Sequence, residues 1–129
     1  QEAECIRIRD IRRFVESGLG QRMKKAAMKK HLYREQPFVI QRNASMLDDG
    51  WKNETVLVQG IIDAYFMEEE EIVLVDYKTD RLRRGQEQKL INLYHVQLED
   101  YARALERMTG KRVKEKIIYS FTLQKEILL

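Results

Sequence analysis

Two stretches decide the fold: TVLVQGIIDAYF at residues 55–66 and IVLVDYK at residues 72–78. Both are rich in β-branched and aromatic side chains, and between them lie Met67 and the glutamates at residues 68–71. Such runs predict two strands folded into a hairpin with an acidic turn. Strand residues two apart share a face, so Asp76 and Lys78 point the same way. Their strand is otherwise apolar, which predicts an interior position. A carboxylate and an ammonium at the end of an interior strand are costly unless paired or used. The preceding strand carries Asp63 at the end of its own apolar run, and folding at the glutamates can bring Asp63 beside Asp76. Two neighbouring carboxylates repel, and a hard divalent cation relieves that repulsion. Mg²⁺ suits a couple of carboxylates completed by waters and phosphate oxygens. Lys78 beside them can orient or polarise an attacking water. The plainer alternative is an Asp76–Lys78 salt bridge with Asp63 capping a turn.

Working outward, the rest of the chain predicts a mixed α/β domain. Asp10 is placed to cap a short helix with Ile11, Phe14 and Val15 on one face. Gly18 and Gly20 interrupt it, and a basic helix then runs to about Lys30. Residues 33–41 read as a strand in which Pro37 marks an edge or a bulge. Residues 43–53 read as a polar loop around Asp48, Asp49 and Gly50, and residues 81–88 as a second loop. Residues 89–108 form the longest predicted helix, closed by Gly110, with Leu93, Leu98, Ala102 and Leu105 as its apolar stripe. Gln97 and Tyr101 stand at i and i+4 beside that stripe. They could hydrogen-bond a nucleic-acid backbone or hold Lys78; an ordinary helix boundary is the simpler reading. Residues 116–121 read as a buried strand and residues 125–128 as another.

The chain has 129 residues with 24 basic and 21 acidic side chains, a net charge of +3. That length predicts one domain. So small a net charge says little about partners, but its placement says more. Arg22, Lys24, Lys25, Lys29, Lys30 and Arg34 fall in a stretch without an acid, and Arg81, Arg83 and Arg84 follow the central hairpin. Each cluster is either a solvated face or a track for phosphates. A single cysteine, Cys5, excludes an internal disulfide, a zinc ribbon and a four-cysteine iron–sulfur site within this chain, and fits a reducing, cytoplasmic setting. The longest apolar run is far short of a membrane span, so no membrane partner is expected.

The order Gln59-Gly60-Ile61-Ile62-Asp63, then Val75-Asp76-Tyr77-Lys78-Thr79-Asp80, then Gln97-Leu98-x-x-Tyr101-Ala102 resembles the PD-(D/E)xK nuclease superfamily in its RecB-like branch. REQPF at residues 34–38 and EKIIYSF at residues 115–121 narrow the resemblance to the nuclease domain of AddA-type helicase/nucleases of bacteria. It covers roughly residues 11–128.

That resemblance implies an α/β, restriction-endonuclease-like core, a central mixed β-sheet flanked by helices. It implies a Mg²⁺-dependent deoxyribonuclease, an exonuclease, with Mn²⁺ able to substitute. Asp63 and Asp76 match the metal ligands, with the Tyr77 carbonyl completing that side. Lys78 matches the catalytic lysine, and Gln97 and Tyr101 the Q-x-x-x-Y element close to the site and the DNA. Glu35 falls in a recurring E-x-P-F strand, with a structural role the simpler one. Lys24, Lys25, Arg81, Arg83 and Arg84 would track the DNA backbone. Partners implied are DNA, as a single strand delivered by a helicase motor, and an AddB-type partner in a heterodimer engaged in double-strand-break repair and recombination.

Two departures stand out. The branch places a metal-ligating histidine in an upstream G-x-x-x-H helix, and no histidine here follows Gly18 or Gly20 at that spacing. His31 is then a candidate ligand, although a surface histidine is simpler, and His95 has no motif role. The chain also opens at Gln1 and holds no Walker A motif. It is therefore expected to be a single nuclease domain, residues 1–129, cut from the C-terminal part of a longer helicase/nuclease. Such a piece should fold, with a weakened metal site. The alternatives are a non-catalytic DNA-binding or docking module with the same fold, and a stand-alone phage-type exonuclease.

Overall fold

A computed structural model of the chain describes residues 8–43 and 55–129. Cys5 and nearly all of the polar loop expected at residues 43–53 lie outside those residues. The elements run α1 (Ile8–Glu16), α2 (Gly18–Met28), β1 (Leu32–Asn43), β2 (Thr55–Glu68), β3 (Glu71–Lys78), α3 (Glu87–Thr109), β4 (Val113–Ser120) and β5 (Lys125–Leu128). The strands form one sheet in the order β1-β2-β3-β4-β5. Among these strands the β3–β4 pair is parallel and the other three pairs are antiparallel. A parallel pair needs a long crossover, and α3 supplies it.

The sheet is covered on both faces. On one, Leu90, Leu98, Ala102 and Leu105 of α3 pack on Phe38, Ile40, Ile62, Leu74 and Ile118. On the other, Leu19, Met23 and Ala26 of α2 pack on Ala64, Phe66, Val73, Val75 and Tyr119. β3 lies between them with every residue from Ile72 to Asp76 buried, as its apolar run predicts. The result is the mixed sheet flanked by helices that the sequence implies.

The hairpin turn is tight. Glu68 pairs with Glu71, and Glu69 and Glu70 between them both take left-handed backbone, φ 51° and 70°. That is the pattern of a two-residue hairpin turn, usually given to Asn and Gly. Arg22, Lys111 and Lys114 gather on the turn and offset the charge of the glutamates.

Three local expectations need correction. Asp10 lies inside the first turn of α1 rather than before it, and its Oδ1 accepts from Gln124 Nε2 at 2.8 Å. Ile11 and Val15 of the same helix are half-exposed. Phe14 is the member of that trio that turns inward, edge-on to Tyr119 at 4.7 Å and to Tyr77 at 5.5 Å. Leu93 is 58% exposed. At roughly 100° per residue it stands about 120° round α3 from the middle of the arc of Leu90, Leu98, Ala102 and Leu105. Gly18 and Gly20, for their part, open α2. Ser17 caps that helix by accepting from the Gly20 N–H at 3.0 Å, and a Cβ on Gly20 would come 2.1 Å from the Phe14 carbonyl.

One irregularity positions the site. Pairing runs from Arg34 with Ala64 to Gln36 with Ile62, which leaves Glu35 opposite Asp63 without a shift of register. Glu35 has φ 52°, a costly conformation for a residue with a side chain. On both strands the alternation slips here. Ile62 and Tyr65 both pack towards α3, whereas Ala64 and Phe66 pack towards α2. On β1, Phe38 and Ile40 belong to the α3 side and Leu32 to the α2 side. Pro37 sits just beyond, on an edge strand, where its missing donor costs no ladder bond between neighbours on both sides.

Candidate active site

β2 leaves β3 after the pair Ala64–Val75, while β3 runs on to Lys78. The next β3 amide lacks its ladder partner, and Asp63 replaces it: its Oδ2 accepts from the Tyr77 N–H at 2.9 Å. The slipped alternation turns Asp63 towards α3, where Asp76 already points. Asp76 is 3% exposed. Burial pushes its carboxyl up to about 7, the nearby Lys78 opposes that rise, and the adjoining Asp63 carboxylate adds to it. The two acids therefore stand together, as the hairpin reading requires.

Lys78 is the cation that meets Asp76. Its Nζ lies 2.9 Å from Asp76 Oδ2 and donates to Gln97 Oε1 at 3.1 Å. The approach to Asp76 is an ion pair but not a well-aligned hydrogen bond, and among the described residues Asp76 Oδ2 is buried with no hydrogen-bond partner. The same ammonium sits 3.8 Å above the ring of Tyr94. Tyr101 closes the site beneath. It meets Phe38 edge-on at 5.1 Å, and its hydroxyl is pushed up to about 12 by burial, then by Asp76 and Asp63. A cleft of about 280 Å³ opens alongside, lined by Phe38, Gln59, Gly60, Gln97, Asp100 and Tyr101 among others. Gly60 lets that wall close in, since a Cβ there would press on the Phe38 ring at 3.1 Å.

This donor set fits a hard cation. Two adjoining carboxylates, one with a buried oxygen short of a donor, offer charge and lone pairs that one lysine leaves unmet. Among the described residues no three His, Cys, Asp or Glu side chains converge as a full metal cage. A cation held here would draw its remaining ligands from backbone carbonyls, water or substrate.

The other predicted residues divide by position. Gln97 and Tyr101 come to the acid pair from α3. Arg81, Arg83 and Arg84 follow β3 directly; Arg81, Arg83 and Arg84 all lie in the open segment before α3. Lys24 and Lys25 are exposed on α2, the helix of the opposite face. Glu35 is exposed across from Asp63. His31 is not beside the acids. Its carbonyl accepts from the Met67 N–H, four residues along β2 from Asp63, or about 13 Å at the rise of a strand. His95 is exposed, with Nδ1 3.2 Å from the Ile91 carbonyl of its own helix. Sequence reasoning missed Tyr94 and Asp80. The signal was present, since Tyr94 precedes Gln97 by three residues and Tyr101 by seven, on one helical face.

Comparison with known proteins places this geometry in a family. The sequence profile of the PD-(D/E)XK nuclease superfamily matches residues 6–127. The A-type component of the ATP-dependent helicase/nuclease of Clostridium novyi is 40% identical over 132 residues, covering 98% of this chain and 10% of its own length. Its counterpart in Clostridium perfringens is 39% identical over 133 residues, with the same coverage. That of Acetivibrio thermocellus is 45% identical over 126 residues, 94% of this chain and 10% of the relative. The chain spans about a tenth of the length of the curated relatives it matches.

Proposed function

The chain belongs to the PD-(D/E)XK nuclease superfamily, and from that premise we propose that it hydrolyses DNA phosphodiester bonds as a Mg²⁺-dependent exonuclease. Asp63 and Asp76 would hold the ion, with the Tyr77 carbonyl as a further ligand and Mn²⁺ as a substitute. The observation that carries this reading is the acid pair itself. Asp76 is buried beside a second carboxylate, its carboxyl pushed up to about 7 and one oxygen left without a hydrogen-bond partner among the described residues. A salt bridge with Asp63 on the Tyr77 N–H would account for each acid singly, but it leaves two adjoining carboxylates beside one ammonium.

Bound there, a divalent ion supplies Lewis-acid polarisation of the phosphate and a more acidic water. The chain's own residues do the rest. Lys78 orients the attacking water and offsets the charge that builds on the phosphate. Gln97 holds the ammonium forward, and Tyr101 walls the site from α3. Arg81, Arg83 and Arg84 lead the DNA backbone past the end of β3, and Lys24 and Lys25 extend the basic surface on the other face. The relatives' names support a setting in an ATP-dependent helicase/nuclease; a role there in double-strand-break repair and recombination is part of the proposal. There a motor would deliver a single strand, and an AddB-type partner would complete a heterodimer.

The test is calorimetric titration of Mg²⁺ and Mn²⁺ into the wild-type chain, Asp76→Asn and Lys78→Ala, each also assayed on a labelled single-stranded oligonucleotide. Asp76→Asn should lose both binding and cleavage. Lys78→Ala should lose cleavage and keep its metal, since removing a competing positive charge does not weaken a cation site. Equal loss of metal in both variants would make Lys78 structural and overturn its role.

A further inference from the structure

We propose that Tyr94 is a positioning residue for Lys78, holding the ammonium over the acid pair through its ring face; this rests on the nuclease reading above. Lysine is a point charge on a flexible four-carbon stem, so its use in a reaction depends on what confines it. Asp76 and Gln97 confine it on two sides, at 2.9 and 3.1 Å. The third side is the Tyr94 ring, 3.8 Å below Nζ. The lysine side chain is 16% exposed, and a cation–π contact strengthens as it loses water.

The ring is itself fixed. Tyr94 donates its hydroxyl to Asp80 Oδ2 at 2.9 Å. Asp80 is tied in turn through its backbone carbonyl, which accepts from Thr122 Oγ1 at 2.6 Å. Thr122 Oγ1 lies 3.2 Å from Ser120 Oγ, at the end of β4. A continuous series of contacts thus runs from β4 through Asp80 and Tyr94 to the nitrogen of Lys78. Tyr94 meets the site through the ammonium, so its effect reaches the chemistry by way of Lys78. It is also only half-buried at the margin of the α3 core, so an aliphatic replacement there leaves the fold's main packing in place.

Tyr94→Phe keeps the ring and drops the tie to Asp80, whereas Tyr94→Leu drops the ring. Tyr94→Leu should lower kcat about 10- to 100-fold, the range that a misplaced group costs, while KM for a single-stranded oligonucleotide stays nearly unchanged. Tyr94→Phe should recover most of that loss. A readout independent of cleavage is the proton NMR shift of the Lys78 methylenes next to the ring, which should move upfield in wild type and Tyr94→Phe and relax in Tyr94→Leu. A chain that cleaves DNA but shows no such ring shift overturns the proposal, as does a Tyr94→Leu variant whose kcat is unchanged. A chain that shows the ring shift but cleaves nothing with any divalent cation overturns the nuclease reading, and with it the role of Tyr94 in a reaction.

Discussion

At the glutamate turn Arg22 forks between two carboxylates, donating to Glu68 at 2.8 and 3.0 Å and to Glu115 at 2.8 and 3.2 Å, and Lys114 adds a contact to Glu68 at 3.2 Å. At the other end of β3, Asp76 stands beside Asp63 and pairs with Lys78. Both ends set two carboxylates against basic side chains, but the results are opposite. Glu68, part-exposed and supplied with donors, is pulled down to about 2 by Arg22 first, with Lys114 adding to the pull. Asp76, buried and short of donors, is pushed up to about 7. Donor count and burial therefore separate a completed clasp from a socket with charge to spare. The clasp fastens α2 and β4 to the hairpin, and the socket is where an added cation finds unmet demand.

The comparison breaks most sharply under mutation of the acids. Asp76→Asn should reduce cleavage on the order of 10²- to 10³-fold or more, the cost of removing one preorganised charge from an active site. Glu68→Gln should leave the rate on a single-stranded oligonucleotide unchanged. Comparable losses in both would mean that the two ends are not functionally distinct.

Stability against pH should separate them next. The folded Asp76 carboxyl sits near 7 against an ordinary value of 3.8. Below about pH 4 it is protonated in both states and costs nothing. As the pH rises towards 7 the unfolded chain gives up that proton while the folded chain keeps it, so stability falls, by at most about 4 kcal/mol. Urea unfolding without divalent ions at pH 4, 5.5 and 7.5 should show this decline in wild type and its loss in Asp76→Asn. Added Mg²⁺ should restore part of it at pH 7.5.

Glu68 runs the other way. Its folded value lies below the ordinary 4.5. Its stabilisation is thus present above about 4.5 and lost as the pH falls through about 2. With solvent screening taken into account, Glu68→Gln should cost about 1 kcal/mol at pH 7 and progressively less in acid. The smallest effect belongs to Lys111→Ala. It removes a contact to Glu70, which is fully exposed, and the thermal midpoint should not move measurably.

What could be read from the residues follows the same division between burial and surface. β3 was legible because Ile72, Val73, Leu74 and Val75 form an unbroken apolar run, and α3 because its long periodic pattern ends at Gly110 in left-handed backbone, φ 71°. The meeting of Asp63 with Asp76 was legible only by folding the hairpin. Strict alternation from Ile62 would send Asp63 to the α2 face, and nothing in composition announces the slip at Glu35. Ile11, Val15 and Leu93 were misplaced because hydrophobicity marks which residues can be buried, while the neighbouring elements decide which are. The ring beneath Lys78 was missed although its spacing to Gln97 and Tyr101 puts it on their face, because only the packing of α3 against β3 shows that the ring meets Lys78.

The slip at Glu35 and Asp63 also constrains how this hairpin can vary by inheritance. Each strand changes face at the same rung, and the pairing on either side stays in step, Arg34 with Ala64 and Gln36 with Ile62. Deleting one codon from β1 alone would displace every later rung against β2 and turn Phe38 and Ile40 away from α3. Deleting one from β2 alone would do the same in mirror image and remove the acid from its partner. Length changes at this rung are tolerable only when both strands change together. The hairpin there should accumulate substitutions over time but almost no insertions or deletions, a footprint distinct from that of a tip where a loop can lengthen freely.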